Sequence, residues 1–165
     1  MMVMTLPTRK IIRLNNFEYN SPGAYFITIC THKRENLFWM DPSNPPRNWE
    51  PPNLSPLGNA VKTCIENIPI IYPHYSVDHY VIMPNHIHLL LCVSQIDGGR
   101  PMAVPTVSTV INQFKGAVSK CVGKSLWQPR FHDHIIRSDS DYLAAWNYID
   151  GNPSKWFDDD LYIPS

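Results

Sequence analysis

The sequence predicts an α+β domain of the ferredoxin-like class, with a four-stranded antiparallel sheet, two helices on one face and an extra C-terminal helix. Segments with the apolar period of strands and of helices follow in the order strand, helix, strand, strand, helix, strand, helix. The first six elements make the β-α-β-β-α-β pattern. The length of 165 residues and hydrophobic content of 44% suit one domain with one core. We therefore treat residues 1–165 as a single domain.

The four predicted strands are rich in β-branched and aromatic residues. They cover residues 25–31, 77–83, 86–93 and 132–137. The second and third form a hairpin, because only Met83, Pro84 and Asn85 separate them.

Three helices are predicted from apolar spacing and capping residues. Ser55 and Pro56 are typical of an N-cap and first helical position, and Pro69 is expected to end this first helix. Ser140 is the expected cap of the third helix, which Gly151 and Pro153 end. The apolar stripes of the three helices contain Leu57, Ala60, Val61, Cys64, Ile65 and Ile68, then Val107, Val110, Ile111, Phe114, Ala117, Val118 and Cys121, then Tyr142, Ala145, Trp146 and Ile149.

Three segments are expected to lie outside the core. Residues 41–56 are dense in proline, which predicts a long surface loop. Residues 1–20 form a basic N-terminal arm with Arg9, Lys10 and Arg13, either a solvated tail or a phosphate contact. Residues 157–165 form an acidic tail that we expect to be peripheral.

Composition excludes several classes of protein. The net charge of +0 argues against a strongly basic nucleic-acid binder, although it allows a local basic patch. No apolar run approaches the roughly 20 residues that span a membrane, and the N-terminus has no signal-peptide core. The 4 cysteines are scattered without a C-x-x-C pair, so we expect reduced core thiols in a cytoplasmic protein.

His86, Ile87 and His88 open the third strand. Residues two apart on a strand share a face, with Cα atoms roughly 7 Å apart, so both imidazoles point the same way. We expect them on the accessible face of the sheet, with Ile87 pointing into the core. Such a pair either holds one divalent metal ion or consists of two hydrogen-bonded histidines on a half-exposed strand.

Tyr148 and Asn152 lie four residues apart on the third helix and therefore share one of its faces. Tyr148 lies on the flank of the apolar stripe, whereas Tyr142 belongs to the stripe and should be buried. An unaided phenol, with a pKa near ~10, is a poor nucleophile, and a metal ion that polarises a phosphate removes part of that handicap.

Three stretches together resemble the single-tyrosine HUH transposases, and most of all those associated with repetitive extragenic palindromes in bacteria. They are His86-Ile87-His88, Trp127-Gln128-Pro129-Arg130-Phe131, and Tyr148-Ile149 followed by Asn152-Pro153. The resemblance spans residues 20–156. It implies a nuclease domain that cuts and rejoins single-stranded DNA, in which a tyrosine forms a 5′-phosphotyrosine link and frees a 3′-OH.

The resemblance also implies the site residues and cofactor. Tyr148 would be the nucleophile, and His86 and His88 would ligate Mg²⁺ or Mn²⁺. Asn152 would be a third ligand, although related enzymes often carry a glutamine there. His132 and His134 form a second H-x-H whose middle residue is charged, so they are the weaker alternative for the ion.

The expected partner is single-stranded or hairpin DNA. Lys115, Arg130 and Arg137 are predicted phosphate contacts, with Lys33 and Arg34 as further candidates. Trp127 and Phe131 either stack on bases or belong to the core. The sequence leaves open whether the protein is a monomer or a homodimer.

Two other functions remain open from the sequence. A non-catalytic module would bind single strands on its open sheet face through two or three aromatic residues, for which Tyr25 or Phe26 and Tyr80 are available. A hydrolase that uses water would cleave DNA without a covalent protein–DNA species.

Overall fold

The computed structural model describes residues 23–48, 50–94 and 104–164. Its strands are β1 (Gly23–Cys30), β2 (Tyr75–Ile82), β3 (His86–Val93) and β4 (His132–Ile136). Its α-helices are α1 (Pro56–Ile71), α2 (Val107–Val122) and α3 (Asp139–Gly151). Short 3-10 helices span His32–Arg34 and Pro153–Asp158.

The sheet has the order β2-β3-β1-β4, and each neighbouring pair is antiparallel. This arrangement confirms the predicted α+β fold with its four-stranded antiparallel sheet and C-terminal helix. Helix α1 packs on α2 and β2, whereas α3 packs on β2 and β3. Ile87 and Leu89 point to the α1 side of the sheet, so His86 and His88 point to the α3 side.

Strand β3 is buried on both faces, because α3 and the 3-10 helix after it cover the side that carries the His pair. His86 is 0% exposed and His88 is 3% exposed. Our expectation that the pair lies on an accessible face is therefore wrong. The sequence pattern of β3 accounts for this, since its near-continuous apolar run is typical of a strand covered on both sides.

Helix boundaries match the predicted ones except at two positions. Ser55 caps α1 as predicted, with its Oγ accepting from the Gly58 N–H at 3.0 Å.

Pro69 does not end α1, which continues to Ile71. Pro69 has no N–H to donate to Ile65 O, but the helix still closes after it, because Tyr72 N–H donates to Ile68 O at 2.9 Å. Helix α3 is capped by Ser138 rather than Ser140, with the Asp141 N–H as donor.

Some predicted features fall outside the described residues or differ from expectation. The basic arm of residues 1–20 lies outside them. Cys30, Cys64, Cys92 and Cys121 are free thiols, but Cys121 is exposed rather than in the core. No helix in the described ranges combines the length and apolar character needed to cross a bilayer.

Candidate active site

The His pair forms the centre of the site. Neighbouring positions on one face of β3 bring His86 Nε2 and His88 Nε2 to 3.1 Å from each other. The ring centroids are 4.7 Å apart and the planes are nearly perpendicular, at 72°. Two nitrogens directed at one point are suited to sharing a cation.

The other ring nitrogens are held by neighbouring side chains. His86 Nδ1 lies 2.7 Å from Asn85 Oδ1, and His88 Nδ1 lies 2.8 Å from Thr28 Oγ1 on β1. The amide oxygen of Asn85 can only accept, so His86 carries its proton on Nδ1 and presents the lone pair of Nε2. The sequence predicts Asn85 only as part of the hairpin turn, and no local pattern indicates this role.

Burial keeps both imidazoles neutral. It lowers the pKa of His88 from its ordinary value to about 3. It also lowers the pKa of His86 well below its ordinary value, with smaller contributions from the neighbouring His88 and Arg34. Because a neutral imidazole is the form that ligates metals, the pair is in the ligating form at neutral pH.

Asp159 is the third member of this group, although the sequence pattern predicted only a peripheral acidic tail there. Its Oδ2 lies 3.8 Å from His86 Nε2, and its side chain is 3% exposed. One ligand atom from each of His86, His88 and Asp159 lies within 4.8 Å of the others. Burial raises the pKa of the Asp159 carboxyl, an effect that a bound cation would oppose.

The chain returns to the His pair through the segment after α3. The 3-10 helix Pro153–Asp158 directs it back, with Trp156 fully buried. Asn85 Nδ2 donates to Leu161 O at 2.8 Å, which fixes this segment beside β3. Asn85 therefore holds both His86 and the segment that carries Asp159.

Tyr148 projects from α3 toward the same group. Its ring centroid lies 5.3 Å from that of His88 and 5.8 Å from that of Phe26, which itself stacks on His88. Tyr148 is 49% exposed, so its ring has a buried side and a side accessible from solvent. Burial raises the pKa of the phenol, the Asp159 charge adds to this, and a hydrogen bond from Asn152 opposes it.

Asn152 lies between Tyr148 and Asp159. Hydrogen bonds from its side chain lower the pKa of both groups. Its Oδ1 is buried and has no hydrogen-bond partner among the described residues. The two neutral imidazoles and the Asp159 carboxylate are a donor set for Mg²⁺ or Mn²⁺, and the buried, unpaired amide oxygen of Asn152 is a further donor next to Asp159. The residues present therefore fit a divalent cation.

A cavity of about 190 Å³ opens beside this group. Its lining includes Tyr148, Asn152, Lys155, Asp159 and Asp160. The cavity gives the phenol and the acidic group a common approach from solvent.

The structure places the alternative His residues elsewhere. His132 and His134 are exposed on the edge strand β4, and His134 Nε2 lies 2.9 Å from Asp141 Oδ2. Neither belongs to the group of His86, His88 and Asp159.

Tyr142 is buried, as predicted, and its hydroxyl donates to Asp78 at 2.8 Å.

The side chains predicted to contact DNA differ in whether they are already hydrogen-bonded within the protein. Lys115 Nζ donates to the carbonyls of Gln128 and Pro129 at 2.7 and 3.2 Å, so its ammonium already has two protein partners. Arg130 and Arg137 are exposed. Trp127 is buried in the core, where its ring meets Phe38 and Phe114, so it is not available to stack on bases.

A ferredoxin-like sheet that carries a His-hydrophobic-His pair opposite a helix tyrosine is the arrangement of the single-tyrosine HUH class. No family model matches the chain. An uncharacterised protein of Haemophilus influenzae is 35% identical over 174 residues, covering 94% of this chain and 93% of its own. A second protein of that organism, named for the REP-associated tyrosine transposases, is 28% identical and covers 84% of this chain and 74% of its own.

Two further proteins connect the chain with the same family. The REP-associated tyrosine transposase of Escherichia coli is 32% identical over 81 residues, which are 49% of this chain and 46% of its own. A solved structure of such a transposase, bound to a REP hairpin, has the same fold with a TM-score of 0.60. That match is 21% identical and covers 87% of this chain and 74% of the solved one. The chain is therefore similar in sequence to REP-associated tyrosine transposases and shares the fold of a solved one.

Proposed function

We propose that this protein is a single-stranded DNA endonuclease and strand transferase that acts at hairpin-associated sites through a 5′-phosphotyrosine intermediate. The observation that supports this most strongly is the placement of Tyr148. Its half-exposed phenol lies against His88, on the same side of the sheet as the buried group of His86, His88 and Asp159. The solved relative that is bound to a REP hairpin supports hairpin DNA as the partner.

His86, His88 and Asp159 would hold a divalent cation, Mg²⁺ or Mn²⁺, with the unpaired oxygen of Asn152 as a further ligand. Such an ion, when bound, supplies positive charge that polarises the scissile phosphate. Imidazole ligands favour Mn²⁺, whereas phosphoryl chemistry and abundance favour Mg²⁺.

The remaining residues prepare the nucleophile and its surroundings. Asn85 and Thr28 fix the rings of His86 and His88, so that both Nε2 atoms face the site. The Asn152 side chain lowers the pKa of Tyr148, which favours the ionised phenol and opposes the effect of burial. Phe26, which stacks on His88, also contacts the phenol ring, with ring centroids 5.8 Å apart.

In the proposed reaction, the Tyr148 oxygen forms a bond to phosphorus while the bond from phosphorus to the 3′ oxygen breaks. The phenolic proton leaves to solvent, and the departing 3′ oxygen takes up a proton to become a free 3′-OH. The downstream strand stays linked to Tyr148 through its 5′-phosphate. Attack by another 3′-OH reverses these steps and transfers the strand, with the tyrosine regenerated.

A covalent-adduct assay tests this proposal. We expect the protein, incubated with Mn²⁺ and a pool of labelled hairpin oligonucleotides with randomised single-stranded flanks, to form an adduct that survives denaturing electrophoresis. Tyr148→Phe keeps the ring and its packing, so the unfolding midpoint should barely change while adduct and cleavage are both lost. Tyr80→Phe is the matched control, because the Tyr80 hydroxyl meets Glu66 on the opposite side of the sheet.

The same assay separates the alternatives. A non-catalytic binding module would give neither cleavage nor adduct with the wild-type protein. A hydrolase that uses water would cleave without an adduct, and its Tyr148→Phe form would still cleave. Peptide mapping that placed the DNA on another residue would contradict the assignment of Tyr148.

A further inference from the structure

A His side chain on β2 contacts α3 at two points on one face of the helix. The His79 imidazole stacks on Trp146, with ring centroids 4.3 Å apart and an angle of 24° between planes. Its Nε2 lies 2.5 Å from Asp150 Oδ1. Trp146 and Asp150 are four residues apart, so their side chains lie one above the other on the helix surface. We call His79, Trp146 and Asp150 the His79 clamp.

Trp146 and Asp150, the two helix residues of the His79 clamp, flank Tyr148 in the sequence but lie on the opposite side of the helix. Tyr148 is two residues from Trp146 and two from Asp150, and at about 100° per residue it projects roughly 160° away from both. On that other side the phenol ring meets His88 and Phe26. Contacts on the two flanks of α3 therefore fix its rotation about its own axis.

We propose that the His79 clamp is a positioning device that sets the direction of the Tyr148 hydroxyl. This inference rests on the proposed function of Tyr148. A phenolic oxygen lies roughly 9 Å from the helix axis, so a rotation of about 10° moves it by roughly 1.5 Å. Displacements of about 1 Å at a reacting atom can cost a factor of about 100 in rate.

The surroundings of the His79 clamp indicate that a loss of His79 should affect the position of Tyr148 more than the stability of the fold. The His79 and Asp150 side chains are 25% and 22% exposed, and both line a cavity of about 540 Å³ between β2, α1 and α3. Removing the imidazole therefore enlarges an existing cavity and leaves the packed core in place. At the other end of α3, His134 and Asp141 form a second His–carboxylate pair, with Nε2 and Oδ2 2.9 Å apart. That pair lies on β4, at the opposite edge of the sheet from His79, and it contacts the first turn of the same helix, so it is the control for losing a His–carboxylate contact to α3.

The test compares His79→Ala with His134→Ala and with His79→Gln, which retains an N–H donor for Asp150. Proteins labelled with 3-fluorotyrosine give one fluorine signal per tyrosine, and Tyr148→Phe identifies the signal of Tyr148. Its shift reports the neighbouring rings of His88 and Phe26, with no need for activity. In parallel, single-turnover adduct formation is measured on the hairpin that the wild-type protein cleaves, with Kd for that hairpin and for Mn²⁺.

We expect His79→Ala to move the Tyr148 signal and to slow adduct formation about 10- to 100-fold, with both Kd values within about twofold of wild type. His79→Gln should recover part of both effects, and His134→Ala should show neither. An unmoved Tyr148 signal in His79→Ala, or an equal loss of rate in His134→Ala, would overturn the proposal. If Tyr148→Phe still forms the adduct, the proposed function fails, whereas the fluorine signal still decides whether the clamp positions Tyr148.

Discussion

Neighbouring side chains fix the orientation of the His86 and His88 rings and so decide which ring nitrogens face the site. The Asn85 amide binds His86 through its oxygen and the Leu161 carbonyl through its nitrogen. One fully buried side chain therefore fixes a ring orientation and also holds the segment that brings Asp159 to the pair. Outer contacts of this kind commonly affect metal affinity by factors of about 10 to 100.

Exchanging Asp159 for asparagine tests whether its carboxylate completes the cation site. Binding at 100 times Kd stabilises the folded state by about 2.7 kcal/mol, which for a chain of this length raises Tm by roughly 5–10 °C. We expect Mn²⁺ to raise the wild-type Tm in this way, and Asp159→Asn to lose most of the increase. Differential scanning fluorimetry with and without Mn²⁺ measures the effect.

Asp160→Asn is the control for that experiment, since Asp160 is the exposed neighbour and lies outside the group with one ligand atom each from His86, His88 and Asp159. It should keep the full increase. An undiminished increase in Asp159→Asn would show that Asp159 is not a ligand.

The parts of the site that the sequence indicated are those that share a local element. His86 and His88 are two apart on a strand, and Tyr148 and Asn152 are four apart on a helix, so the elements themselves align these side chains. Asp159 lies in a segment without apolar periodicity, and its place depends on a long-range hydrogen bond to Asn85. No local pattern encodes such a contact.

At the scale of elements, the fold follows from the apolar periods, while a few backbone contacts decide how elements approach each other. The start of α1 packs so closely on the chain after β1 that Gly58 has no room for a side chain. A Cβ atom at Gly58 would lie 2.2 Å from Phe38 O. Gly116 in α2 is exposed, and a Cβ atom there would have nothing within 4 Å.

We expect opposite effects from alanine at these two helix positions. Gly58→Ala should lower the free energy of unfolding by about 1–3 kcal/mol, because the Phe38 backbone must shift to make room for the Cβ atom. Gly116→Ala should raise it by about 1 kcal/mol, the helix propensity difference without a clash. Urea unfolding followed by circular dichroism measures both. If both variants changed the free energy of unfolding in the same direction, the close approach of α1 to Phe38 would be contradicted.

At the scale of the whole molecule, the absence of net charge limits how DNA can be held. The chain has 14 basic and 14 acidic residues, so attraction to phosphates depends on a local cluster and not on the overall field. Acidic residues near Tyr148, including Asp159 and Asp160, would repel a phosphate unless a cation balances them. Phosphate contacts should therefore be few and lie away from this acidic group.

The salt dependence of hairpin binding tests this picture. Each phosphate neutralised by a basic side chain contributes about −0.9 to the slope of log K against log salt, so a few contacts predict a total of about −2 to −4. Arg130→Ala should reduce the slope by about 1, because its exposed guanidinium is free to meet a phosphate. Lys115→Ala should leave the slope unchanged, since the Lys115 ammonium is held by the Gln128 and Pro129 carbonyls. Fluorescence anisotropy with a labelled hairpin between 50 and 300 mM salt, roughly the range in which such slopes are resolved, measures all three proteins. An affinity independent of salt concentration, or an equal affinity for plain duplex and for the hairpin, would contradict the proposed mode of recognition.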